Sequence, residues 1–306
     1  MPAHRLHAAL CATAVTLAGL AGLAGCGKTP ASGPPAATAA PPTSTPGSST
    51  TGAAPPQTAT RAALAVYYLG TERVWRESDG TPIDRVKLYR EFHRLAAGDG
   101  GAAARARAAI AEMLAASALD PDYRTGWPSG ARVRDVRVAG GVVTVDIGGA
   151  ARNNVGSEVA DQAVQQLVWT ATAASGQAGV RLLIDGQPVD ELWGHVAVGG
   201  VLRRSPAEDV QAHVWLIDPQ HGASVGRTFT VHVSGYVFES TIYIRARQGG
   251  RTVRETFVTV AGDGNFGEAR TRLTLPPGRY TLEAYEPSNA TAGRELYLDD
   301  HVITVR

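Results

Sequence analysis

The sequence predicts an α+β domain followed by an all-β sandwich, both placed behind an export signal and a tether. Three observations support this prediction. The first 60 residues pass from an apolar run to a segment rich in Pro, Ala, Thr and Ser. Residues 61–204 mix strand and helix patterns, and residues 210–306 contain strand patterns separated by turn residues. This succession favours an α+β unit and then a β-sandwich.

The N-terminus has the pattern of a bacterial export signal. Arg5 is its only Lys or Arg, and residues 8–22 form an uncharged, largely apolar run. The run is shorter than the roughly 20 residues that cross a membrane, but it suits a signal peptide. It leads into Leu23-Ala-Gly-Cys26, which resembles the lipobox of bacterial lipoproteins. The resemblance implies removal of residues 1–25 and lipidation of Cys26. The alternative is an ordinary secretory signal in which this cysteine is incidental.

Cysteine usage agrees with lipidation. The chain has two cysteines, and Cys11 lies inside the segment that cleavage would remove. Cys26 would then be the single cysteine of the mature chain, which excludes an internal disulfide, a cysteine metal site and a cysteine nucleophile. We therefore expect an extracytoplasmic protein, held by lipid at the outer face of the cytoplasmic membrane in a bacterium with one membrane.

Residues 26–60 are predicted to form a lipidated, disordered tether. Lys28 is the only charged residue in this segment, which holds too little apolar surface to offset the entropy lost on ordering. As a flexible coil it would span roughly 30–35 Å on average. Such a length would lift the folded part away from a bilayer.

Composition argues against nucleic acid as a partner. The formal net charge is +1, and removal of residues 1–25 would leave equal numbers of basic and acidic residues. The basic residues are not gathered into a stripe or interleaved with aromatic residues, as they are on nucleic-acid-binding surfaces.

The patterns between residues 61 and 204 indicate seven elements. Apolar or alternating runs predict strands, apolar residues at helical spacing predict helices, and two β-rich runs around Gly140-Gly141 predict a hairpin. Ser157 is expected to cap the second helix. The elements are strands at 64–69 and 86–92, a helix at 101–118, strands at 133–138 and 142–147, a helix from 157, and a strand at 180–184.

Several motifs of this region resemble those of a known protein family and occur in the same order as in that family. They are Val66-Tyr-Tyr68, Val142–Asp146, Gln165–Thr170, Ile184–Val189 and Leu192-Trp-Gly194. In this order they resemble the GerMN domain of sporulation and spore-germination proteins, over nearly all of residues 61–204. The stretch between residues 73 and 105 departs from the family pattern. The family is similar in shape to ring-building motifs of secretion assemblies, so the resemblance implies a protein-contact module rather than an enzyme.

Seven strand patterns fill residues 210–306. Turn residues such as Asp218-Pro219 and Pro276-Pro-Gly278 separate them, and about seven short strands indicate an immunoglobulin-like β-sandwich. The expected strands are 210–217, 228–237, 241–247, 251–260, 266–275, 279–285 and 296–305. The segment Val231–Glu239, followed by Phe266, resembles the immunoglobulin-like domain found beside GerMN in spore-germination proteins.

The histidines of the second domain invite a zinc hypothesis. They are His213, His221, His232 and His301, with Asp299 and Asp300 close to the last. Their spacing matches no zinc pattern, so we expect them at the surface or rim. His232 alternates with Val231 and Val233 and should point away from the core. Because no catalytic constellation is evident either, we predict no catalytic residue, no metal and no cofactor.

Two carboxylates and three tryptophans leave alternatives open. Asp146 at a strand end and Asp185 before a tight turn could form an acid–base pair, but aspartates at such positions more often hydrogen-bond the backbone. Trp169 is expected in the core. Trp127 and Trp215 are expected to pack, with exposed anchors for a glycan or a protein as the alternative.

The sequence thus predicts a non-catalytic, lipid-anchored cell-envelope protein, an interaction or assembly module related to sporulation and spore-germination proteins. Besides the membrane reached through Cys26, its expected partner is another envelope protein or the cell wall. The alternative function is a peptidoglycan- or carbohydrate-binding envelope lipoprotein.

Overall fold

The computed structural model of the protein describes residues 61–76, 78–97, 100–260, 266–289 and 293–306. All of them belong to one compact unit. The predicted signal peptide, the predicted lipidation site Cys26 and the predicted tether lie outside the described residues.

A long antiparallel hairpin opens the described chain. Strands β1 (Arg61–Trp75) and β2 (Pro82–Ala96) pair along their whole length. Both faces of β1 are buried at its centre: Val66 and Tyr68 enter the main core of the first domain, whereas Tyr67 enters a smaller core on the other face. Burial on both sides explains why the centre of β1 is a continuous apolar run rather than an alternating one.

The first domain packs two helices against a four-stranded sheet. The helices are α1 (Gly101–Leu114) and α2 (Ser157–Ser175), and the sheet contains β3 (Arg132–Ala139), β4 (Val142–Gly148), β5 (Gly179–Ile184) and β6 (Gln187–Pro188) in that order. Strands β4 and β5 are parallel, so α2 serves as the crossover between them. Two short strands, β7 (Glu191–Leu192) and β8 (Val196–Ala197), follow.

Most sequence predictions for this domain are confirmed. In the predicted hairpin, Gly140 and Gly141 have φ values of 56° and 79°, the left-handed conformation that a tight two-residue turn requires. Helix α1 ends at Leu114 instead of reaching residue 118. The predicted capping role of Ser157 is wrong, because α2 begins at Ser157 and Gly156 occupies the cap position. No helix in the described ranges is both long and apolar enough to cross a bilayer.

The second domain is the predicted immunoglobulin-like sandwich, entered through the short helix α3 (Ala207–Val210). Its strands are β9 (Val214–Asp218), β10 (Ser224–Val225), β11 (Thr228–Gly235), β12 (Thr241–Gln248), β13 (Arg251–Thr259), β14 (Gly267–Thr274), β15 (Gly278–Pro287) and β16 (Glu295–Val305). One sheet has the order β14-β11-β9 and the other the order β10-β16-β15-β12-β13. All seven predicted strands are present, and β10 is the addition.

The tryptophans singled out by the sequence are buried. Trp169 is 8% exposed, as expected for a core residue, and Trp127 and Trp215 are 3% and 2% exposed. The indole nitrogen of Trp127 donates a 3.0 Å hydrogen bond to the carbonyl of Ala163. Because Trp127 and Trp215 are enclosed, the alternative that they are exposed anchors is wrong. Each instead buries a large apolar surface.

Candidate functional site

The two domains meet along β9, which is apolar on both faces. Val214 and Leu216 lie in the core of the second domain, whereas Trp215 and Ile217 lie in the core of the first. None of these four residues is more than 2% exposed. The meeting region, called the junction below, is therefore a continuous packed interior rather than a flexible linker.

A glutamine side chain extends the junction along the edge of β2. The Nε2 of Gln220 donates to the carbonyl of Phe92 at 2.9 Å, and its Oε1 accepts from the amide of Phe92 at 2.6 Å. Nearby, the amide of Ala212 donates to the carbonyl of Leu88 at 3.0 Å. The second domain thus satisfies backbone groups of β2 that would otherwise need water.

Charged residues of β1 and β2 hold the chain that links the domains. The carboxylate of Glu72, which is fully buried, accepts from the amide of His213 at 2.6 Å and lies 2.9 Å from its Nδ1. The Nζ of Lys87 donates to the carbonyl of Asp209 at 2.8 Å, and burial lowers the pKa of Lys87. Both charged groups can be buried because each has a specific partner, either in the second domain or in the segment that leads to it.

Glu91 organises the loop that follows α1. Its carboxylate accepts from the amides of Leu119 and Asp120 at 2.9 and 2.8 Å and lies 2.8 Å from Nε2 of His93. The other ring nitrogen of His93 lies 2.9 Å from Glu112. Burial alone would lower the pKa of His93, but the two glutamates outweigh burial and raise it.

A groove of about 640 Å³ opens at the junction. One wall comes from β1, β2 and the loop after α1, and the other from β16 and the residues before it. It is lined by aromatic, acidic and basic side chains together with a few small ones: Thr71, Arg73, Trp75, Tyr89, Asp122, Tyr123, Gly293, Arg294, Glu295, Leu298, Asp299 and Asp300. We take this groove as the candidate site, because residues of both domains form one concave surface of mixed charge there.

Asp299 is the most deeply buried carboxyl of the groove, at 6% exposed. Its Oδ1 accepts from the hydroxyl of Tyr123 and its Oδ2 from the amide of Leu216, both at 2.7 Å. Burial raises the pKa of Asp299 well above its usual range. Burial and the nearby Asp120 also raise the pKa of Asp300. The groove can therefore present carboxyl groups that hold a proton more tightly than an exposed aspartate does.

Arg294 and Trp75 organise the rim of the groove. The guanidinium carbon of Arg294 lies 4.6 Å from the ring centroid of Trp75, whose indole nitrogen donates to the carbonyl of Glu295 at 3.0 Å. Gly80, in the turn of the hairpin, lies against the guanidinium of Arg294. Its φ of 66° is the left-handed conformation that favours glycine at this position.

The lining of the groove offers several kinds of group that can recognise a ligand. Charged groups of both signs, hydrogen-bonding hydroxyls and aromatic rings surround the space, and the described residues that line it include no serine, cysteine or histidine. Such a lining suits a ligand or a peptide segment held by hydrogen bonds, charge and stacking.

The histidines of the second domain are more buried than the sequence predicted. His232 does point away from the sandwich core, but it is only 6% exposed because it faces the junction, where its Nε2 lies 2.9 Å from Glu268. His301 is 2% exposed, and its Nδ1 lies 2.8 Å from the carbonyl of Pro219. The expected surface or rim position is therefore wrong for both. Among the described residues no group of three or more His, Cys, Asp or Glu side chains is arranged to hold a metal.

Asp146 and Asp185 lie on either side of Arg134. Asp146 accepts from the amide of Gly186 at 2.9 Å, and Asp185 accepts from the amide of Gly149 at 3.3 Å. The guanidinium of Arg134 lies 3.2 Å from Asp146 and 3.5 Å from Asp185. The preferred interpretation, that these aspartates hydrogen-bond the backbone, is confirmed.

A further motif, Gly222-Ala-Ser224-Val-Gly226, matches the Gly-x-Ser-x-Gly pattern of hydrolase nucleophile elbows. Ser224 is exposed and lies in β10, which pairs in parallel with the end of β16. A nucleophile elbow requires a sharp turn between a strand and a helix. The match is therefore one of sequence alone.

Family models match two consecutive parts of the chain. The family Germane, described as sporulation and spore germination, matches residues 65–190. The family Gmad2, described as an immunoglobulin-like domain of bacterial spore germination, matches residues 213–292. No curated protein matches the chain.

Similar solved structures include domains of a sporulation protein. The tandem GerMN domains of GerM from Bacillus subtilis are 19% identical, with a TM-score of 0.34, and the match covers 51% of this chain and 50% of that one. The first GerMN domain of the same protein is 20% identical, with a TM-score of 0.31, and covers 44% of this chain and 97% of that one. Fibronectin(III)-like modules of Clostridium thermocellum CbhA are 10% identical, with a TM-score of 0.21, and the match covers 30% of this chain and 95% of that one. The chain therefore contains a Germane domain of sporulation and spore germination at residues 65–190, followed by a Gmad2 immunoglobulin-like domain at residues 213–292.

Proposed function

We propose that the protein is a non-catalytic, lipid-anchored protein of the cell envelope whose two domains act as a single interaction module. The observation that carries the proposal is the sharing of β9 between two cores, with Trp215 on one side and Leu216 on the other. A partner that binds at the groove meets two walls that are already fixed relative to each other. Binding therefore costs less conformational entropy than it would if the two walls were mobile. Membership of the two families favours a role in sporulation or germination.

In this proposal, lipid on Cys26 holds the module at the membrane and residues 26–60 give it reach. Metabolic labelling with an alkyne fatty acid, followed by membrane fractionation, tests the anchor. The wild type should be labelled and sediment with membranes, whereas Cys26→Ser should carry no label. Cys11→Ser is the matched control and should be labelled like the wild type. Label on the Cys26→Ser protein would contradict the anchor.

Crosslinking in intact cells tests the interaction role. A photoreactive residue at Leu298, inside the groove, should capture a discrete envelope protein. The same residue at Thr252, exposed on β13, should not. Capture at both positions, or at Thr252 alone, would speak against the groove as the contact surface.

Activity assays test the absence of catalysis. Purified full-length protein should release no product from peptidoglycan or from ester substrates. Product release that disappears in Asp299→Asn or Asp122→Asn, with folding intact, would replace the interaction role with an enzymatic one.

The alternative, a peptidoglycan- or carbohydrate-binding protein, is favoured by Trp75, a partly exposed aromatic residue that lines the groove. Sedimentation with purified cell wall separates the two functions. Retention that falls in Trp75→Ala, but not in Phe257→Ala at an aromatic residue 61% exposed outside the groove, would support wall binding. A wild type that stays in the supernatant would exclude it.

A further inference from the structure

A second cleft at the junction, of about 470 Å³, differs from the groove in its charge. Its first-domain wall comes from β1 and β2, and its second-domain wall from the sheet β14-β11-β9 and the loop after β9. The charged or titratable side chains among the described residues that line it are three arginines, one histidine and two carboxylates: Arg90, Arg94, Arg270, His232, Asp218 and Glu268. Guanidinium groups therefore outnumber carboxylates in this cleft.

One of the two carboxylates is already neutralised. Glu268 Oε1 accepts from Nη2 of Arg90 at 2.7 Å, and Glu268 Oε2 lies 2.9 Å from Nε2 of His232. Burial would raise the pKa of Glu268, but the hydrogen bond and charge of Arg90 outweigh it and lower that pKa. Arg90 and Glu268 thus form an ion pair between the domains, which leaves Asp218 as the carboxylate facing the remaining arginines.

His232 orients one of those arginines. Its Nδ1 lies 3.2 Å from Nη2 of Arg270, and since a guanidinium can only donate, the histidine nitrogen is the acceptor. Burial lowers the pKa of His232, which agrees with a neutral ring in this role. On the opposite wall Arg94 is exposed, and within the described residues no hydrogen bond or ion pair engages its guanidinium. Arg94 and Arg270 therefore keep donors for a ligand.

We propose that this cleft binds an oxyanion of the phosphate type between Arg94 and Arg270. A guanidinium presents a planar fork of donors that matches two oxygens of a phosphate group. The two walls of the cleft are joined, because Gln220 of the second domain hydrogen-bonds the backbone of Phe92 and Glu268 pairs with Arg90. The inference depends neither on the lipid anchor nor on a partner in the groove.

Isothermal titration of the full chain in a neutral detergent, with inorganic phosphate at constant ionic strength, tests the site. The wild type should bind phosphate, and Arg94→Gln and Arg270→Gln should each bind it about tenfold more weakly or worse. Arg272→Gln is the matched control: this arginine is exposed on the same strand as Arg270 but does not line the cleft, and its loss should leave affinity unchanged. Circular dichroism checks that the variants are folded.

Two results would overturn the proposal: no phosphate binding by the wild type, or an equal loss in Arg272→Gln, which would mean attraction by overall charge. A second titration identifies the source of the phosphate. Glycerophosphoglycerol, the headgroup of a membrane phospholipid, binds with the same dependence on Arg94 and Arg270 if the cleft accepts a lipid headgroup. It fails to bind, while inorganic phosphate still binds, if the cleft takes free phosphate.

Discussion

The hydroxyl of Tyr123 donates a 2.7 Å hydrogen bond to Oδ1 of Asp299, and this bond joins the first domain to the second inside the groove. Tyr123 is held in place by stacking on Tyr89, with 4.6 Å between the ring centroids. The other carboxyl oxygen of Asp299 accepts from the amide of Leu216. The protonation state of Asp299 therefore affects the stability of the junction as a whole.

Asp299→Asn should stabilise the protein at neutral and alkaline pH. Burial raises the pKa of Asp299, so the cost of ionising it in the folded state appears as pH rises from about 3.9, the ordinary pKa of aspartate, through the raised folded value. Asparagine avoids the charge and still accepts from the amide of Leu216. We expect a Tm about 2–4 °C above wild type at pH 8 and no difference near pH 4, measured by thermal unfolding. Exposed Asp161→Asn is the control; an Asp299→Asn effect independent of pH would contradict this account.

His93→Gln should remove a contribution that is greatest at low pH. The folded pKa of His93 is raised, so its pairing with Glu91 and Glu112 stabilises fully below the unfolded histidine pKa of about 6.5 and is lost as pH rises through the folded value. Urea unfolding at pH 6, 7.5 and 9 should give a difference in unfolding free energy of about 1–3 kcal/mol at pH 6 that shrinks by pH 9. The exposed His195→Gln should show no such trend, and a difference that grows with pH would disprove the pairing.

Gln220→Ala should loosen the two domains without unfolding either. The substitution leaves the amide and carbonyl of Phe92 without their partner, at a cost of about 1–3 kcal/mol for groups at a partly buried site. Hydrogen exchange of the Phe92 amide should accelerate while amides in β4 stay protected. Gln187→Ala, at an exposed glutamine, serves as the control. Unchanged exchange at Phe92 would mean that the glutamine contributes little.

Gly126→Ala should destabilise the first domain through overpacking. A Cβ at this position would lie 2.8 Å from both Cβ of Ala163 and Cδ1 of Leu69. Displacing these packed groups costs about 1–3 kcal/mol. At Gly130 a Cβ would meet nothing closer than 3.9 Å, so Gly130→Ala should be neutral within about 0.5 kcal/mol. Chemical unfolding of the two variants compares them, and equal stabilities would show that α2 can move aside.

The strands of the second domain could be predicted because each is short, rich in β-branched residues and bounded by turn residues. The first hairpin was predicted too short for a physical reason. The apolar run of β1 ends before the charged Glu72, yet Glu72 belongs to the strand and is buried. A sequence pattern that assigns charge to solvent cannot foresee burial that depends on a partner.

The groove and the junction could not be predicted, because their contacts join distant parts of the chain. Glu72 and His213 are 141 residues apart in sequence, and Tyr123 and Asp299 are 176 apart. One signal was available: the run Val214-Trp-Leu-Ile217 does not alternate, which is typical of a strand covered on both faces. That signal indicates a second packing partner for the strand, and the structure shows this partner to be the first domain.

The double-sided burial of β9 also has a consequence for inheritance. A recombination event that copied residues 210–306 into another gene would expose Trp215 and Ile217 to water, and such a fragment would tend to aggregate. Deletion of the same residues would leave the first domain without Trp215 and Ile217 in its core. We therefore expect the two domains to be inherited together.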